Sequence, residues 1–280
     1  MSKISSTFAP AFEKSTRDVA QPGSATVWGT GGRKFKSCHP DITHFAEQYE
    51  TADFLHGDPS WFMHQVKGAA NQETMAFIAS TLSYGNRKQF MPKIDFILKE
   101  SDGEIYEWLR NGKYRSTFRP DDKRSFYRLY TYSAYCQFLD AYSSLLNEYG
   151  TLGKYVKRGA KTGYEAVEII CNYFSSHGVS VIIPKDTTSA CKRVCMFLRW
   201  MVRDNSPVDL GLWQFIDKKT LVIPLDTHVM QQANALKLIN SKCASMSTAI
   251  KLTDSLRNVF PDDPVRGDFA LFGYGIDHKP

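Results

Sequence analysis

The sequence predicts an all-α fold. From Asp41 onward, apolar residues recur at the three- and four-residue spacing of helix faces. Strand-like runs are limited to two short segments, VSVIIP and TLVIP, and each of them directly precedes a predicted helix. The sequence shows no internal repeat of the kind that builds solenoids or propellers. We therefore expect one helical domain over residues 41–280.

Residues 1–40 differ in composition from this domain. Ser, Thr, Gly and Pro dominate, and Arg33, Lys34 and Lys36 cluster in TGGRKFKSCHP. We interpret the segment as a flexible basic tail. Such a tail either adds a phosphate contact or simply keeps the protein in solution.

Two stretches carry the helical pattern most clearly. In ETMAFIASTLSYG, Met75, Ile78 and Leu82 fall on one face, and Gly85 follows where a helix would stop. The segment SFYRLYTYSAYCQFLDAYSSLLNEYG is predicted to be a similar helix that ends before Gly150. Its many aromatic residues are typical of core packing rather than of a surface on which bases stack.

A further helix is predicted in KDTTSACKRVCMFLRWMVRDN, with Lys192 in its first turn. Residues 186–189 supply candidate N-caps. Arg199 and Arg203 follow Lys192 on nearly the same side, which predicts a basic face. Positive neighbours and the positive end of a helix dipole push an ammonium group towards its neutral, nucleophilic form. The alternative is an ordinary solvated lysine at a helix start.

The next helix is predicted in LVIPLDTHVMQQANALKL, where Asp226 holds the N-cap position. Aspartate is a favoured N-cap, so this residue needs no further role. However, the strand-like TLVIP between the two helices would bring the second helix start back towards the first. The sequence therefore predicts that Lys192 and Asp226 lie close together.

Composition limits the class of protein. With 42% hydrophobic and 23% charged residues in 280, the chain is typical of a globular protein. It has neither an apolar run of membrane-span length nor the apolar core of a secretory signal, so we expect a cytoplasmic protein. The six cysteines form no CxxC pair, which favours reduced thiols over disulfides or a zinc site. A net charge of +6 is compatible with an anionic partner such as nucleic acid.

The segment LDTHVMQQANALKL resembles the Asp-containing segment of helix-hairpin-helix DNA glycosylases, such as endonuclease III and 8-oxoguanine DNA glycosylase. The resemblance implies a two-lobed helical fold in which Lys192 attacks the sugar and Asp226 assists. The whole stretch from about Asp41 to Pro280 also resembles an uncharacterised bacterial family related to these glycosylases.

The resemblance implies further contact residues. ASTLSYGNRKQFMPKI resembles the stretch that inserts polar side chains into the duplex, which implies that Asn86, Arg87 and Gln89 contact DNA. GDFALFGYGID resembles the last core helix, whose early residues line the base pocket, here Asp268 and Phe272. Two more DNA contacts are expected, His228 from the Asp-Thr-His motif and Arg199 from the predicted basic face.

Three features depart from the glycosylase pattern. VIIPKDTTSACKR has no glycine between Pro184 and Lys192, so the hairpin is altered. DNSPVDLGLWQFIDKK lengthens the separation between Lys192 and Asp226 relative to endonuclease III. Cys243 is the only cysteine after Cys195, so the four-cysteine iron–sulfur loop is absent.

Together, these features predict a DNA glycosylase with AP lyase activity that removes a damaged base, an oxidised purine being one candidate, through a lysine Schiff base. Duplex DNA with a damaged base is the expected partner, no metal or organic cofactor is expected, and we expect a monomer. The alternatives are a non-catalytic nucleic-acid-binding module of the same fold and a purely structural or protein-interaction domain.

Overall fold

The computed structural model describes residues 42–278, and the basic tail predicted over residues 1–40 lies outside this range. The described residues form one compact unit. Its helices are α1 (Ile42–Tyr49), α2 (Ala69–Leu82), α3 (Arg87–Glu100), α4 (Ile105–Arg110), α5 (Tyr132–Tyr149), α6 (Leu152–Lys157), α7 (Gly163–Ser176), α8 (Lys192–Val202), α9 (Thr227–Ala235), α10 (Met246–Arg257) and α11 (Gly267–Asp277). Two short strands, β1 (Ser125–Tyr127) and β2 (Tyr130–Thr131), are the strands of this range. Short 3-10 helices span Ala52–Leu55, Pro59–His64, Lys113–Ser116, Lys218–Thr220 and Pro264–Arg266. The predicted all-α fold is confirmed, whereas its division into two lobes stays a prediction.

Helix α2 lies at the centre of this unit. Every residue from Glu73 to Leu82 is buried, so the helix is enclosed on all sides rather than on one face. It packs against α8, α3, α4 and the 3-10 helix Pro59–His64. Helix α8 in turn packs against α7, so the helix that begins at Lys192 is anchored from two directions.

The first and last described helices pack against each other and bring the two ends of the unit together. A Cβ atom added to Gly273 of α11 would lie 2.1 Å from the Tyr49 ring, so only glycine permits this approach. The Tyr49 hydroxyl also donates to Asp277 Oδ1 at 2.7 Å. Helix α11 additionally contacts α9 and thereby connects both chain ends to the helix that follows Asp226.

The helix predicted from Ser125 onward is only partly correct. Residues 125–131 form an antiparallel hairpin, and helix α5 begins at Tyr132. Thr131 explains the late start, because its hydroxyl accepts from the Ala134 amide at 3.0 Å and caps the helix. The aromatic residues of the hairpin suit a strand as well as a helix, so hydrophobic spacing alone did not separate the two.

The strand predictions for VSVIIP and TLVIP are wrong. Residues 178–184 form turns and residues 221–225 run as irregular backbone. Within residues 42–278, neither segment has a neighbouring strand with which it could pair. In the second segment the Ile223 amide instead donates to the Thr253 hydroxyl at 3.1 Å, so a side chain replaces the missing strand partner.

Within residues 42–278, none of the helices is both long enough and apolar enough to span a bilayer.

Candidate active site

The structure brings Lys192 and Asp226 together, as the sequence predicted. The Lys192 Nζ atom lies 2.8 Å from Asp226 Oδ2. Both side chains are about one-third exposed, so the pair is reachable from solvent without being fully hydrated. A partly desolvated ammonium–carboxylate pair of this kind is the arrangement expected if one residue acts as nucleophile and the other as its assistant.

Lys192 owes its position to an unusual start of helix α8. The N-cap is Cys191, with φ of 45° and no side-chain cap, rather than any of the candidate caps predicted at residues 186–189. Asp186 instead accepts from the Thr188 amide in the preceding turn. Cys191 therefore adopts the left-handed conformation that favours glycine, in the segment where the sequence lacks one. The Cys191 thiol is buried 3.9 Å from the Cys171 sulfur of α7, which anchors the turn.

Asp226 has two functions that use different oxygens. Its Oδ1 accepts from the Val229 amide at 2.9 Å and caps helix α9, as predicted, while Oδ2 faces Lys192. The preceding residues Leu221, Ile223 and Leu225 are almost completely buried, which fixes the entry of the chain into α9. The cap and the buried segment together leave the carboxylate little freedom to rotate.

The electrostatics of the site keep Asp226 ionised. Burial raises the pKa of Asp226, but the charge and hydrogen bond of Lys192, the Val229 amide and the nearby His228 outweigh burial and hold this pKa below its usual value. Asp268 behaves in the opposite way. Burial raises the pKa of Asp268 above its usual value despite Arg199 and Lys192, and the Asp226 carboxylate adds to the rise. Asp268 therefore lies close enough to interact electrostatically with both Lys192 and Asp226.

Arg199 and Arg203 do not form the exposed basic face that the sequence predicted with Lys192. Both side chains are almost fully buried, so the exposed basic face is wrong, while the contact between Arg199 and DNA stays a prediction. Arg199 donates to Asp268 and, at 3.3 Å, to Asp209. Arg203 donates to Asp209 as well, and also pairs with Asp263 and Glu50. The prediction failed because a stripe of arginines on a helix resembles a solvated face until the carboxylates that cover it are located.

A cleft opens beside the Lys192–Asp226 pair. Its volume is about 380 Å³. The lining residues are Ser83, Tyr84, Gly85, Pro184, Ser189, Ala190, Cys191, Lys192, Arg193 and Asp226. A larger depression of about 630 Å³ is lined by residues 234 and 237–242. We assign the site to the smaller cleft, because it alone of the two contains a nucleophile with an adjacent carboxylate.

Of the predicted duplex-inserting residues, Asn86 lies next to this cleft. Asn86 follows the lining residue Gly85 and caps helix α3, since its side chain accepts from the Lys88 amide at 2.9 Å. Arg87 is half-exposed and lies 3.5 Å from Asp58. Gln89 is exposed. All three remain accessible, and their contact with DNA stays a prediction.

The other predicted contacts are more dispersed. His228 is exposed in the first turn of α9, beside Asp226. Phe272 packs edge-to-face against Tyr49 and Phe54, with ring centroids 6.0 Å and 5.0 Å apart, and does not line the cleft. Asp268 lies one turn before Phe272 in α11, and its carboxylate accepts from Arg199 of α8. The roles of His228, Asp268 and Phe272 in base recognition stay predictions.

Sequence reasoning missed the aromatic and arginine side chains at the cleft. Tyr84 lines it, and the guanidinium carbons of Arg193 and Arg128 lie 5.1 Å and 5.5 Å from the centre of the Tyr84 ring. Next to Arg128, at the turn of the hairpin, Leu129 is 80% exposed. No sequence signal marks these residues, because the hairpin that carries Arg128 and Leu129 was itself taken for helix.

In the described part of the chain, no three His, Cys, Asp or Glu side chains are grouped as metal ligands. The cysteines of this part are free thiols, as predicted, with Cys243 exposed and the others buried.

Comparison with known proteins shows the family. A family described as "Protein of unknown function (DUF2400)" matches residues 58–277, which include the whole candidate site. The chain belongs to the DUF2400 family. Neither a curated protein nor a solved structure matches it.

Proposed function

We propose that the protein is a DNA glycosylase of the helix-hairpin-helix type with AP lyase activity, and that it removes a damaged base through a Schiff base on Lys192. The observation that carries this proposal is the 2.8 Å contact between Lys192 Nζ and Asp226 Oδ2, made from the starts of two helices at the edge of a cleft. The substrate is a nucleotide of duplex DNA that is extruded from the stack, since the reacting sugar carbon is otherwise inaccessible.

The reaction begins with the loss of a proton from Lys192, because only the neutral amine has a free electron pair. The Nζ atom attacks C1′ of the sugar, and the bond to the base breaks with its electron pair on the base, which takes up a proton. Opening of the sugar ring gives a Schiff base. Loss of a C2′ proton then expels the 3′ phosphate, which cuts the strand, and water releases the lysine.

Asp226 suits an electrostatic role in this sequence. A carboxylate whose pKa lies below its usual value is a weak proton acceptor but remains negative throughout the neutral range. Positive charge develops on the sugar as the base departs, and a fixed carboxylate beside C1′ stabilises it. The cap formed by Oδ1 holds Asp226 in place before the reaction starts, so little reorganisation is needed.

Trapping with borohydride tests the proposal. Duplexes that carry a single abasic site, or a single oxidised purine, are incubated with the protein and sodium borohydride, which reduces the Schiff base to a stable amine. We expect a covalent protein–DNA adduct with the parent protein and none with Lys192→Gln. Lys185→Gln, which alters an exposed lysine of the preceding turn, is the matched control and should trap normally. Adduct formation by Lys192→Gln would show that the nucleophile is another residue.

The variant Asp226→Asn distinguishes the capping role of Asp226 from its proposed catalytic role. Asparagine caps helices about as well as aspartate, so the variant should fold and bind DNA. Loss of the charge should lower turnover by a factor of roughly a hundred or more. Turnover equal to that of the parent protein would show that Asp226 is a cap only.

A second candidate function is a nucleic-acid-binding module without catalysis. The same contact between Lys192 and Asp226 favours it, because an ion pair between two helix starts also serves as a structural tie between α8 and α9. In that case the parent protein binds duplex DNA but forms no borohydride adduct on any of the duplexes.

A further inference from the structure

The cleft that contains the Lys192–Asp226 pair also carries positive charge without a carboxylate partner. Among residues 42–278, every arginine except Arg128, Arg158 and Arg193 forms an ion pair with an acidic side chain. Two of these three exceptions, Arg128 and Arg193, lie over the same ring, that of the cleft residue Tyr84. Two uncompensated guanidinium groups therefore converge where the candidate site opens.

Arg193 is held rigidly in this position. It immediately follows Lys192 in α8 and donates to the Thr81 carbonyl at the end of α2 and, at 2.6 Å, to the Tyr130 hydroxyl. Both acceptors are neutral, so they orient the guanidinium without cancelling its charge. Stacking over Tyr84 fixes the plane of the group further. The side chain is thus ordered before any ligand arrives.

Arg128 reaches the same ring from the hairpin. It occupies the turn between β1 and β2 with φ of 50°, a conformation that side chains other than glycine rarely adopt. Its guanidinium packs over Gly85, where an added Cβ atom would lie only 2.7 Å from Arg128 Nη1. The Tyr127 hydroxyl donates to the Tyr84 carbonyl and ties the hairpin to this loop. The hairpin therefore delivers an exposed cation to the cleft rim.

We infer that Arg128 and Arg193, arranged over Tyr84, form a binding site for a phosphodiester group of the DNA strand whose extruded sugar meets Lys192. Guanidinium groups match the geometry of phosphate oxygens and stay positive at any physiological pH. Arg193 and Lys192 are adjacent in the chain, so a phosphate held by the arginines is kept close to the nucleophile. This inference rests on the proposed function, because it assumes that the ligand of the cleft is a DNA strand.

The test measures binding separately from chemistry. The probe is a fluorescent duplex with one tetrahydrofuran abasic analogue, which lacks the C1′ hydroxyl needed for a Schiff base. Affinity is determined by fluorescence anisotropy at several KCl concentrations. Arg128→Gln should weaken binding about tenfold and reduce the slope of log affinity against log salt by about one, the signature of one lost phosphate contact. Arg128→Lys, which keeps the charge, should restore most of the slope.

Arg115→Gln is the matched control. Arg115 also lies over a tyrosine ring, that of Tyr114, but its charge is paired with Asp140 at 2.7 Å. The variant should leave both the affinity and the salt slope unchanged. If Arg115→Gln and Arg128→Gln weaken binding equally, the effect is one of overall charge and the phosphate site is refuted.

The position of the phosphate is located with methylphosphonate substitution. Neutralising one phosphate next to the abasic analogue should weaken binding by the parent protein but not by Arg128→Gln, since the two changes remove the same contact. Arg193→Lys, combined with Arg128→Gln, should deepen the loss. If the substitution weakens both proteins equally, the arginine contacts no phosphate at that position and the inference fails.

The outcomes separate this inference from the proposed function. An unchanged salt slope in the Arg128 variants, together with normal borohydride trapping, overturns the phosphate site and leaves the glycosylase proposal standing. No binding and no trapping by the parent protein would overturn both. Binding of inorganic phosphate that is lost in Arg128→Gln, without any DNA binding, would show that the ligand is a free phosphate and not a phosphodiester.

Discussion

Asp209 offers the sharpest test of what holds helix α8 in place. Its side chain is completely buried and accepts from Arg199 Nε at 3.3 Å and from Arg203 Nη1. Asp209→Asn keeps the shape of the residue but removes the negative charge between two interior guanidinium groups. In the folded protein Arg199 and Arg203 then lose the carboxylate that they share, and each keeps only its remaining acidic partners.

The expected cost follows from the partners that remain. Removing one member of a buried ion pair costs about 3–5 kcal/mol of folding free energy. Arg199 keeps Asp268, and Arg203 keeps Asp263 and Glu50, so we expect the lower end, about 3 kcal/mol. At 2–4 °C per kcal/mol for a domain of this size, the melting temperature should fall by about 6–12 °C.

The assay is urea unfolding followed by circular dichroism, with thermal melting as a second measurement. Asp254→Asn is the matched control, because Asp254 pairs with Arg257 on the exposed surface of α10, and it should change stability by less than about 1 kcal/mol. If Asp209→Asn is as stable as this control, the network does not hold the helix and the reasoning is wrong.

Two further predictions concern the same unit. Burial raises the pKa of Glu50, but the charge and hydrogen bonds of Arg203 and Arg266 outweigh burial and hold this pKa below its usual 4.5. The ionised Glu50 therefore stabilises the fold above pH 4.5, and this stability is lost as the pH falls through the lower pKa of the folded state. Glu50→Gln should remove that acid-dependent loss in urea titrations between about pH 7 and pH 3. Gly163→Ala should lower the free energy of unfolding by about 1–3 kcal/mol, because the added Cβ would lie 2.8 Å from the backbone of Leu221. Gly159→Ala should lower it less, since its Cβ meets the flexible end of the Ile169 side chain. Equal losses of stability in thermal melts would contradict this.

Local signals in the sequence were enough to predict much of the fold. The end of α5 was predicted from Gly150, its C-cap with positive φ, and the end of α2 from Gly85, which follows its C-cap Ser83 closely. A glycine that ends a helix is a local property of the chain. The Asp226 cap was predicted for the same reason. The predictions that failed concern segments whose structure depends on residues distant in the sequence. TLVIP has the composition of a strand, yet no strand of the described residues lies beside it, and the Ile223 amide donates to the Thr253 hydroxyl instead.

The same distinction between local signals and distant partners applies to the residues of the candidate site. Lys192 and Asp226 were predicted to lie close together because each begins a helix and because TLVIP was expected to bring the second helix start back towards the first. Arg199 was placed on an exposed basic face because its carboxylate partners, Asp209 and Asp268, lie on other segments of the chain. Arg128 was missed because its position depends on a hairpin turn with a conformation that its residue type does not favour.

The buried network of arginines and carboxylates lies at the C-terminal end of helix α8, and the cleft lies at its N-terminal end. Arg199 lies in the second half of α8 and Arg203 is its C-cap. Their ion pairs fix this end of the helix to Glu50, Asp209 and Asp263, while Lys192 begins the helix at the cleft. A rigid helix keeps the position of its first residue defined, and a nucleophile loses much of its rate when it is displaced by about 1 Å. If the protein acts as proposed, the interior arginines serve the reaction only indirectly: they hold the helix, and its first two residues, Lys192 and Arg193, face the cleft.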